Sequence, residues 1–167
     1  PASLRIRTLG GGQLTFDKVA VTGLASRKAM ALFLYLAVTG QSHSRESLAT
    51  LLWDDRTTQR AAGNLNVILS SLRNKLAKYV DISGLDVSIS SWDDLSLDSA
   101  EFEQKIQAAR QKQRRIGRVN RAVAVNFREA VALYQGDFLA GFHVRDARGF
   151  EDWVLLERER LQWLAIE

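Results

Sequence analysis

The spacing of apolar residues changes twice along the first hundred residues of this chain, and this change constrains the fold more than any other feature. From Leu4 to Val21 apolar residues alternate with others, interrupted by the turn-prone Gly10–Gly12. From Ser26 to Lys78 they recur every three or four residues, and from Val80 to Leu97 they alternate again. A period of two predicts short strands, whereas a spacing of three or four predicts amphipathic helices.

Cap signals divide the helical stretch into three helices. Ser26 and Ser44 can each cap a helix N-terminus, Gly40 can end the first helix, and Trp53 closes the second. The third helix is predicted from about Thr58 to Lys78. Its narrow apolar stripe, with Ile68 beside it, consists of Leu65, Leu69, Leu72 and Leu76.

The last alternating stretch predicts a hairpin. Its strands would be Val87–Ile89 and Leu95–Leu97, and its turn the polar segment Ser90–Asp94. A small sheet, three helices and a hairpin in this order make an α+β winged helix-turn-helix. We therefore predict a winged-helix domain over residues 1–97.

Residues 98–167 have helical spacing throughout and are predicted to be a second, all-α domain. Asp98–Glu101 fits a capping box with Asp98 as the N-cap, and the basic segment Gln111–Arg118 is predicted to be a loop or a frayed helix end. The apolar positions of the predicted fourth, fifth and sixth helices are Phe102, Ile106 and Ala109, then Val123, Phe127, Ala130, Val131 and Tyr134, then Phe150, Trp153, Val154, Leu161 and Leu164. We expect the start of a helical-repeat array with a small core of its own, truncated where the chain ends inside an apolar pattern.

Composition favours a soluble cytoplasmic protein. Hydrophobic residues make up 46%, no apolar run is long enough for a membrane span, and there is no cysteine for a disulfide or thiolate metal site. The net charge of +4 is too small to indicate a partner, but the charge is unevenly distributed. Arg60–Lys78 and Lys105–Arg121 contain four and seven basic residues and no acidic one. The second cluster is most simply a solvated surface, although it could also meet phosphate.

The residue types that carry chemistry are not grouped. His43 and His143 are a hundred residues apart, and neither has a ligand partner at metal-binding spacing. The pairs Asp54-Asp55 and Asp93-Asp94 lie where helix starts and turns use aspartate. We predict no catalytic residue, metal site or cofactor, and therefore no enzyme. The aromatic side chains expected in the core are Trp53, Trp153, Phe127 and Phe150.

The polar face of the third helix is the feature that points to a function. It is small, rich in amides and free of acids, whereas exposed helices usually mix Glu with Lys. Asparagine can bond adenine, serine can contact several bases, and valine can touch a thymine methyl. The predicted base-reading residues are Asn64, Val67, Ser70, Ser71 and Asn74. The predicted phosphate-positioning residues are Arg45, Arg60, Arg73, Lys75 and Lys78.

Three stretches resemble the OmpR-type winged helix of the SARP class, the Streptomyces antibiotic regulatory proteins: Lys28–Ala37, His43–Trp53 and Leu72–Leu76. The second half is similar to the bacterial transcriptional activator domain, whose tetratricopeptide-like helices follow the winged helix in that class. The similar residues there are Leu97-Asp98 with Phe102, then Ala132–Phe142, then Trp153-Val154 with Glu157–Glu159.

The resemblance implies a transcriptional regulator, most simply an activator, that binds double-stranded DNA at direct repeats upstream of a promoter. It places the third helix in the major groove and the hairpin wing near the minor groove, and it makes RNA polymerase and a second protomer candidate partners. Two features depart from it. Ser70 and Ser71 stand where many relatives have arginine, and the predicted wing Val87–Leu97 has no basic residue. The alternative is a protein-interaction scaffold without DNA binding.

Overall fold

The first sheet brings together the two ends of the winged-helix half. The structure is a computed structural model that describes residues 3–24, 26–54, 58–118 and 120–166. Strands β1 (Leu4–Arg7), β2 (Gln13–Phe16), β3 (Val19–Ala20) and β7 (Leu95–Leu97) lie in the order β3-β2-β1-β7. β1 is antiparallel to β2 and parallel to β7. Because side chains alternate along a strand, Leu4 and Ile6 are buried while their neighbours face solvent.

Three helices follow, with the caps predicted from the sequence. Helix α1 (Arg27–Thr39) begins at Ser26, whose hydroxyl accepts a hydrogen bond from Ala29 N, and ends at Gly40 in the left-handed conformation. Helix α2 (Arg45–Leu52) is capped in the same way by Ser44 and ends at Trp53. Helix α3 spans Thr58–Leu76. Asp55, one of the aspartates assigned to helix starts, lies outside the described residues.

The predicted hairpin is present, but its position was wrong. Strands β5 (Val80–Ser83) and β6 (Asp86–Ile89) form the hairpin around Gly84-Leu85, and β4 (His43–Ser44) pairs with β6 to complete a second sheet. The segment Ser90–Asp94, predicted to be the turn, instead leads to β7 in the first sheet. Gly84 has a φ of 57°, a left-handed conformation that glycine adopts without strain, which favours the turn at this point.

The second half consists of helices α4 (Asp98–Ile116), α5 (Arg121–Leu133) and α6 (Arg148–Ile166). The predicted loop over Gln111–Arg118 was wrong, because α4 continues as helix to Ile116 with α5 packed along it. Gln, Lys and Arg are good helix formers, so a basic segment need not fray. Val131 was also misplaced, since it is largely exposed on α5.

One hydrophobic core runs through both halves, and the expectation of two separate small cores was wrong. The buried cluster includes the α3 stripe and α1, and it continues without interruption through Phe102, Phe138 and Phe150 of the second half. Trp53 and Phe150 are buried as expected, while Trp153 and Phe127 are partly buried against the same cluster. The division at residue 97 therefore does not separate two cores.

Asp98 fixes the start of α4 to the end of β1. It is the first residue of the helix and Leu97 is the N-cap, so the predicted capping role of Asp98 was wrong. Its buried carboxylate accepts hydrogen bonds from Thr8 N at 2.8 Å, Thr8 Oγ1 at 2.7 Å and Leu9 N at 2.9 Å. A local pattern suggested a cap, whereas the carboxylate satisfies the neighbouring Ser99 N at 2.8 Å together with donors that lie about ninety residues away.

A second seam joins α2 to the start of α6. Both carboxylate oxygens of Asp54 accept from Arg148 N at 2.7 Å, so Asp54 satisfies a backbone donor in the first turn of α6. Gly149 lies against the α2 backbone, where a Cβ would come within 3.2 Å of Leu51 Cα. Nearby, the rings of Tyr35 and Trp153 meet edge to face at 4.8 Å. The second half is thus docked on the winged helix close to the connection between α2 and α3.

Candidate nucleic-acid interface

Helix α3 presents one buried face and one solvent face. The predicted apolar stripe is buried, as are Ala61 and Ile68 beside it. Successive residues of a helix are about 100° apart, so Val67, Ser70 and Asn74 point roughly away from that stripe. All three are exposed, Val67 by 62%, while Asn64 and Ser71 lie on one flank and are partly exposed. The five predicted base-reading residues therefore share the outer side of one helix.

The predicted phosphate-positioning residues on α3 have different surroundings. Arg60, Arg73 and Lys75 are exposed, with Arg73 and Lys75 in the last turn of the helix. Lys78 follows the helix and forms an ion pair with Asp94. This hydrogen bond raises the pKa of Lys78, so the ammonium stays charged but phosphate would have to compete with Asp94 for it. Arg73 and Lys75 are consequently better placed to meet phosphate than Lys78.

Arg45, the fifth predicted phosphate contact, connects three elements instead. It is the first residue of α2, and its backbone N donates to Leu85 O at 2.7 Å. Its side chain donates from Nε to Gly84 O at 2.9 Å and from Nη1 to Asn66 Oδ1 at 2.8 Å. Arg45 thus holds the tip of the β5–β6 hairpin against α3, and its guanidinium is already engaged on both sides.

The β5–β6 hairpin, which is the wing, has no cation. Residues 80–97 contain no Lys or Arg, and Asp81 and Asp86 are exposed on the hairpin. The most exposed side chain at its tip is apolar, Leu85 at 79%. A surface of this kind repels phosphate, which agrees with the departure noted in the sequence. Any contact of this wing with phosphate would therefore have to be made without a cationic side chain from residues 80–97.

A cleft of about 500 Å³ lies between α2, α3 and the wing tip. Its floor includes Ala49, Trp53 and Leu65, and Arg45 and Asn66 line it where α3 meets the wing. On α3 the cleft is lined by Ala61, Ala62, Leu65 and Asn66, none of which is a predicted base-reading residue. We assign it no ligand.

His43 lies on β4, the strand that pairs with β6 of the wing. The hydroxyl of Thr39 donates to Tyr35 O at 2.8 Å, so the 2.8 Å contact between that hydroxyl and His43 Nε2 requires Nε2 to carry the proton. The imidazole also packs 4.7 Å from the Tyr35 ring. Burial lowers the pKa of His43 and raises that of Tyr35. His43 therefore supports the wing in its neutral form.

Other kinds of site find no support within the described residues. No cluster of three or more His, Cys, Asp or Glu side chains there could hold a metal ion. None of the helices in that part of the chain is long and apolar enough to cross a membrane.

The second basic cluster surrounds the outer end of the α4–α5 helix pair. Two of its members are engaged, Lys105 with Glu129 at 3.0 Å and Arg110 with Leu164 O at 2.8 Å. The other members are exposed and surround the turn between the helices: Lys112, Arg114, Arg115, Arg118 and Arg121. We refer to these five residues as the basic tip.

Comparison with known proteins shows what the second half is similar to. Residues 97–167 match the family model of the bacterial transcriptional activator domain. The second half of this chain is therefore similar to bacterial transcriptional activator domains. No curated protein sequence matches the chain.

The arrangement of the activator domain behind a winged helix also occurs in a solved structure. EmbR of Mycobacterium tuberculosis, in a complex with a low-affinity phosphopeptide, has a similar fold with a TM-score of 0.74 and 18% sequence identity. The alignment covers 98% of this chain and 44% of EmbR, so this chain spans less than half the length of that protein. At this identity the likeness establishes the fold. The fold expected from the sequence, a winged helix followed by a helical half similar to the bacterial transcriptional activator domain, is confirmed.

Sequence reasoning missed the roles of Asp98, Asp54 and Arg45 in connecting the second half and the wing to the rest of the fold. Asp98 was assigned to a local cap, Asp54 to a helix start, and Arg45 to phosphate. Each hydrogen-bonds a group that is distant in sequence, and no local pattern reports that. The clearest available signal was the position of Arg45. It is the first residue of α2, at the positive end of the helix dipole, where a cation is expected only if phosphate or another acceptor is close to it.

Proposed function

We propose that this chain is a sequence-specific DNA-binding transcriptional regulator, most simply an activator, that reads a promoter-upstream repeat through α3. The observation that carries the proposal is the outer face of α3. It is exposed, small and amide-rich, and no acid lies between Arg60 and Lys78. A helix of this kind can approach the major groove closely and offer donors and acceptors to base edges.

The outer face of α3 and its C-terminal turn would contact different parts of the DNA. Asn64, Val67 and Ser70 would contact bases, and Arg73 and Lys75 would contact phosphates. The wing would be held in place by Arg45 and would add little electrostatic attraction of its own. RNA polymerase or a second protomer would be engaged by the helical second half, which is similar to bacterial transcriptional activator domains. We propose no enzymatic activity.

Selection of bound duplexes from a random pool, followed by fluorescence anisotropy over a salt series, tests this proposal. We expect an enriched motif, a preference of at least about a thousandfold over a scrambled duplex, and affinity that falls steeply as salt rises. Recovery of no motif, with equal affinity for the selected and scrambled duplexes, would contradict it.

One observation favours the second candidate, a protein-interaction module. Helix α6 has exposed apolar side chains on its outer side: Leu155, Leu156, Trp163 and Ile166. Exposed apolar patches commonly mark protein contacts. If this were the sole function, substitutions on α6 would abolish binding to the partner while the α3 face could be changed freely.

A further inference from the structure

The basic tip is a surface whose charge the fold does not explain. Among the described residues, none of its five side chains takes part in an ion pair or hydrogen bond, whereas Lys105 and Arg110, nearer the body, are both engaged. No acidic residue occurs between Gln104 and Arg128. The tip therefore concentrates five unneutralised cations around a single turn of the chain.

Helix electrostatics account for only part of this charge. Arg114 and Arg115 are in the last turn of α4, where the helix dipole favours cations. Arg121 is the first residue of α5, at the end of a helix where the dipole disfavours a cation. Lys112 and Arg115 are three residues apart on one helix and repel each other. A bound polyanion would relieve both unfavourable arrangements.

The tip is held away from the body on a rigid support. Helix α4 is 19 residues long, or about 28 Å at about 1.5 Å per residue, and its first residue is the buried Asp98. Along its length α5 packs against it, and α6 reaches as far as Arg110. The last turn of α4 lies beyond that point, so the tip can approach an extended partner without displacing packed residues.

The composition of the tip favours a nucleic-acid backbone over a protein. Protein interfaces have an apolar core enriched in aromatic side chains, whereas surfaces that meet DNA are polar and strongly positive. The tip has four arginines and one lysine, the polar neighbours Gln111 and Gln113, and Ile116 as its one exposed apolar side chain in the described residues. Arginine also suits phosphate because its planar guanidinium can donate two parallel hydrogen bonds.

We propose that the basic tip binds the sugar-phosphate backbone of duplex DNA outside the segment that α3 reads, so that the activator domain lengthens the footprint without adding base specificity. This inference rests on the proposed function. The full length of α4, about 28 Å, corresponds to roughly eight base pairs at about 3.4 Å each, so a flank of about 15 base pairs on either side of the operator is long enough to include the contact.

The test compares Arg115→Gln/Arg118→Gln with the parent and with the control Arg5→Gln/Arg145→Gln, which removes two exposed cations elsewhere on the surface. Affinity is measured on a duplex of the operator alone and on one with both flanks, between about 50 and 200 mM salt. Each phosphate contact contributes about 0.9 to the salt slope, so two contribute about 1.8, or roughly tenfold over this range. We expect the tip variant to lose this roughly tenfold dependence on the long duplex only, and the control to behave as the parent. Melting curves establish that all three are folded.

An unchanged salt slope for the tip variant on the long duplex would overturn the inference, and so would an equal loss on both duplexes, which would place the contact inside the operator. A variant that binds DNA as the parent does but no longer binds RNA polymerase would assign the tip to a protein and also overturn it. The proposed function fails separately, if the parent shows no sequence preference on either duplex. In that case a reduced slope of the tip variant on long DNA without the operator would still support the tip as a backbone contact.

Discussion

Replacing Asp98 by asparagine should weaken the whole chain rather than one half of it. The substitution keeps the shape of the side chain and one acceptor oxygen, but the new amide nitrogen would face backbone donors that Asp98 now satisfies at Thr8 and Leu9. One buried donor without an acceptor costs about 1–3 kcal/mol, and the remaining hydrogen bonds lose the contribution of a charged acceptor. We expect a loss of about 2–4 kcal/mol, and a larger loss for Asp98→Ala, which leaves four buried donors without their acceptor.

Urea unfolding followed by tryptophan fluorescence and by far-ultraviolet circular dichroism measures this loss. Two of the four tryptophans lie in each half, Trp53 and Trp92 in the first and Trp153 and Trp163 in the second, and a single core predicts one transition that both signals share. At a slope of about 2 kcal/mol per molar urea, the midpoint of Asp98→Asn should fall by about 1–2 M with the slope unchanged. Asp152→Asn, an exposed aspartate on α6, is the matched control and should change stability by less than about 0.5 kcal/mol. Two separate transitions in the parent, or a variant as stable as the parent, would refute the reasoning.

Three further predictions concern the contacts around α3 and the seam with α6. Arg45→Lys and Asn66→Ala should each weaken binding to the selected operator with little change in salt slope. Because both remove the same hydrogen bond, their effects in a double-mutant cycle should not add. A salt slope lowered by about one for Arg45→Lys would indicate a phosphate contact instead. Burial lowers the pKa of His43, so its contribution to stability is present above the unfolded pKa of about 6.5 and is lost as the pH falls through the folded pKa. The parent should therefore lose more stability than His43→Gln between about pH 7.5 and 5. Equal losses would count against this. Gly149→Ala should destabilise the chain in thermal unfolding, because the new Cβ meets the Leu51 backbone, and a gain of up to about 1 kcal/mol from helix propensity would show that the seam yields.

The parts of the fold that were predicted correctly are those set by neighbours in sequence. Ser26, Ser44 and Gly40 act at helix ends through groups only a few residues away, and the leucine stripe of α3 is a periodic feature of one helix. Cap chemistry and periodicity are both local, so the sequence shows them directly. The winged-helix prediction followed from placing these elements in order, whereas the prediction of an activator domain came from the resemblance of the second half to that family.

The errors arose where distant partners decide. Ser90–Asp94 is as turn-prone in sequence as Gly84-Leu85, but β7 pairs with β1, about ninety residues earlier, and that pairing takes it out of the hairpin. The two expected cores merged because α6 docks on α2 through Asp54, a contact that periodicity cannot reveal. The positive charge of Arg45 also could not show that its guanidinium is hydrogen-bonded to Gly84 O and Asn66 Oδ1, rather than free to bind phosphate.

For the candidate site, the sequence predicted which residues share the outer side of α3 but not what they contact. Exposure of Val67, Ser70 and Asn74 follows from helix geometry once the buried stripe is known. Recognition of bases is a property of a complex, and the assignment of Asn64 and its neighbours to bases stays a prediction.

The central claim is that α3 reads bases on its outer face and holds phosphates at its flank, and paired alanine variants test it most directly. Operator binding of Asn64→Ala and Arg73→Ala is measured against a panel of single-base variants of the selected operator, with Asn126→Ala on α5 as the control for loss of a partly exposed asparagine. We expect Asn64→Ala to lose about 1–3 kcal/mol of preference at one base pair with its salt slope intact, and Arg73→Ala to weaken all duplexes alike while its slope falls by about one. If Asn64→Ala and Ser70→Ala leave both affinity and base preference unchanged on folded protein, α3 is not the reading helix and the account is wrong.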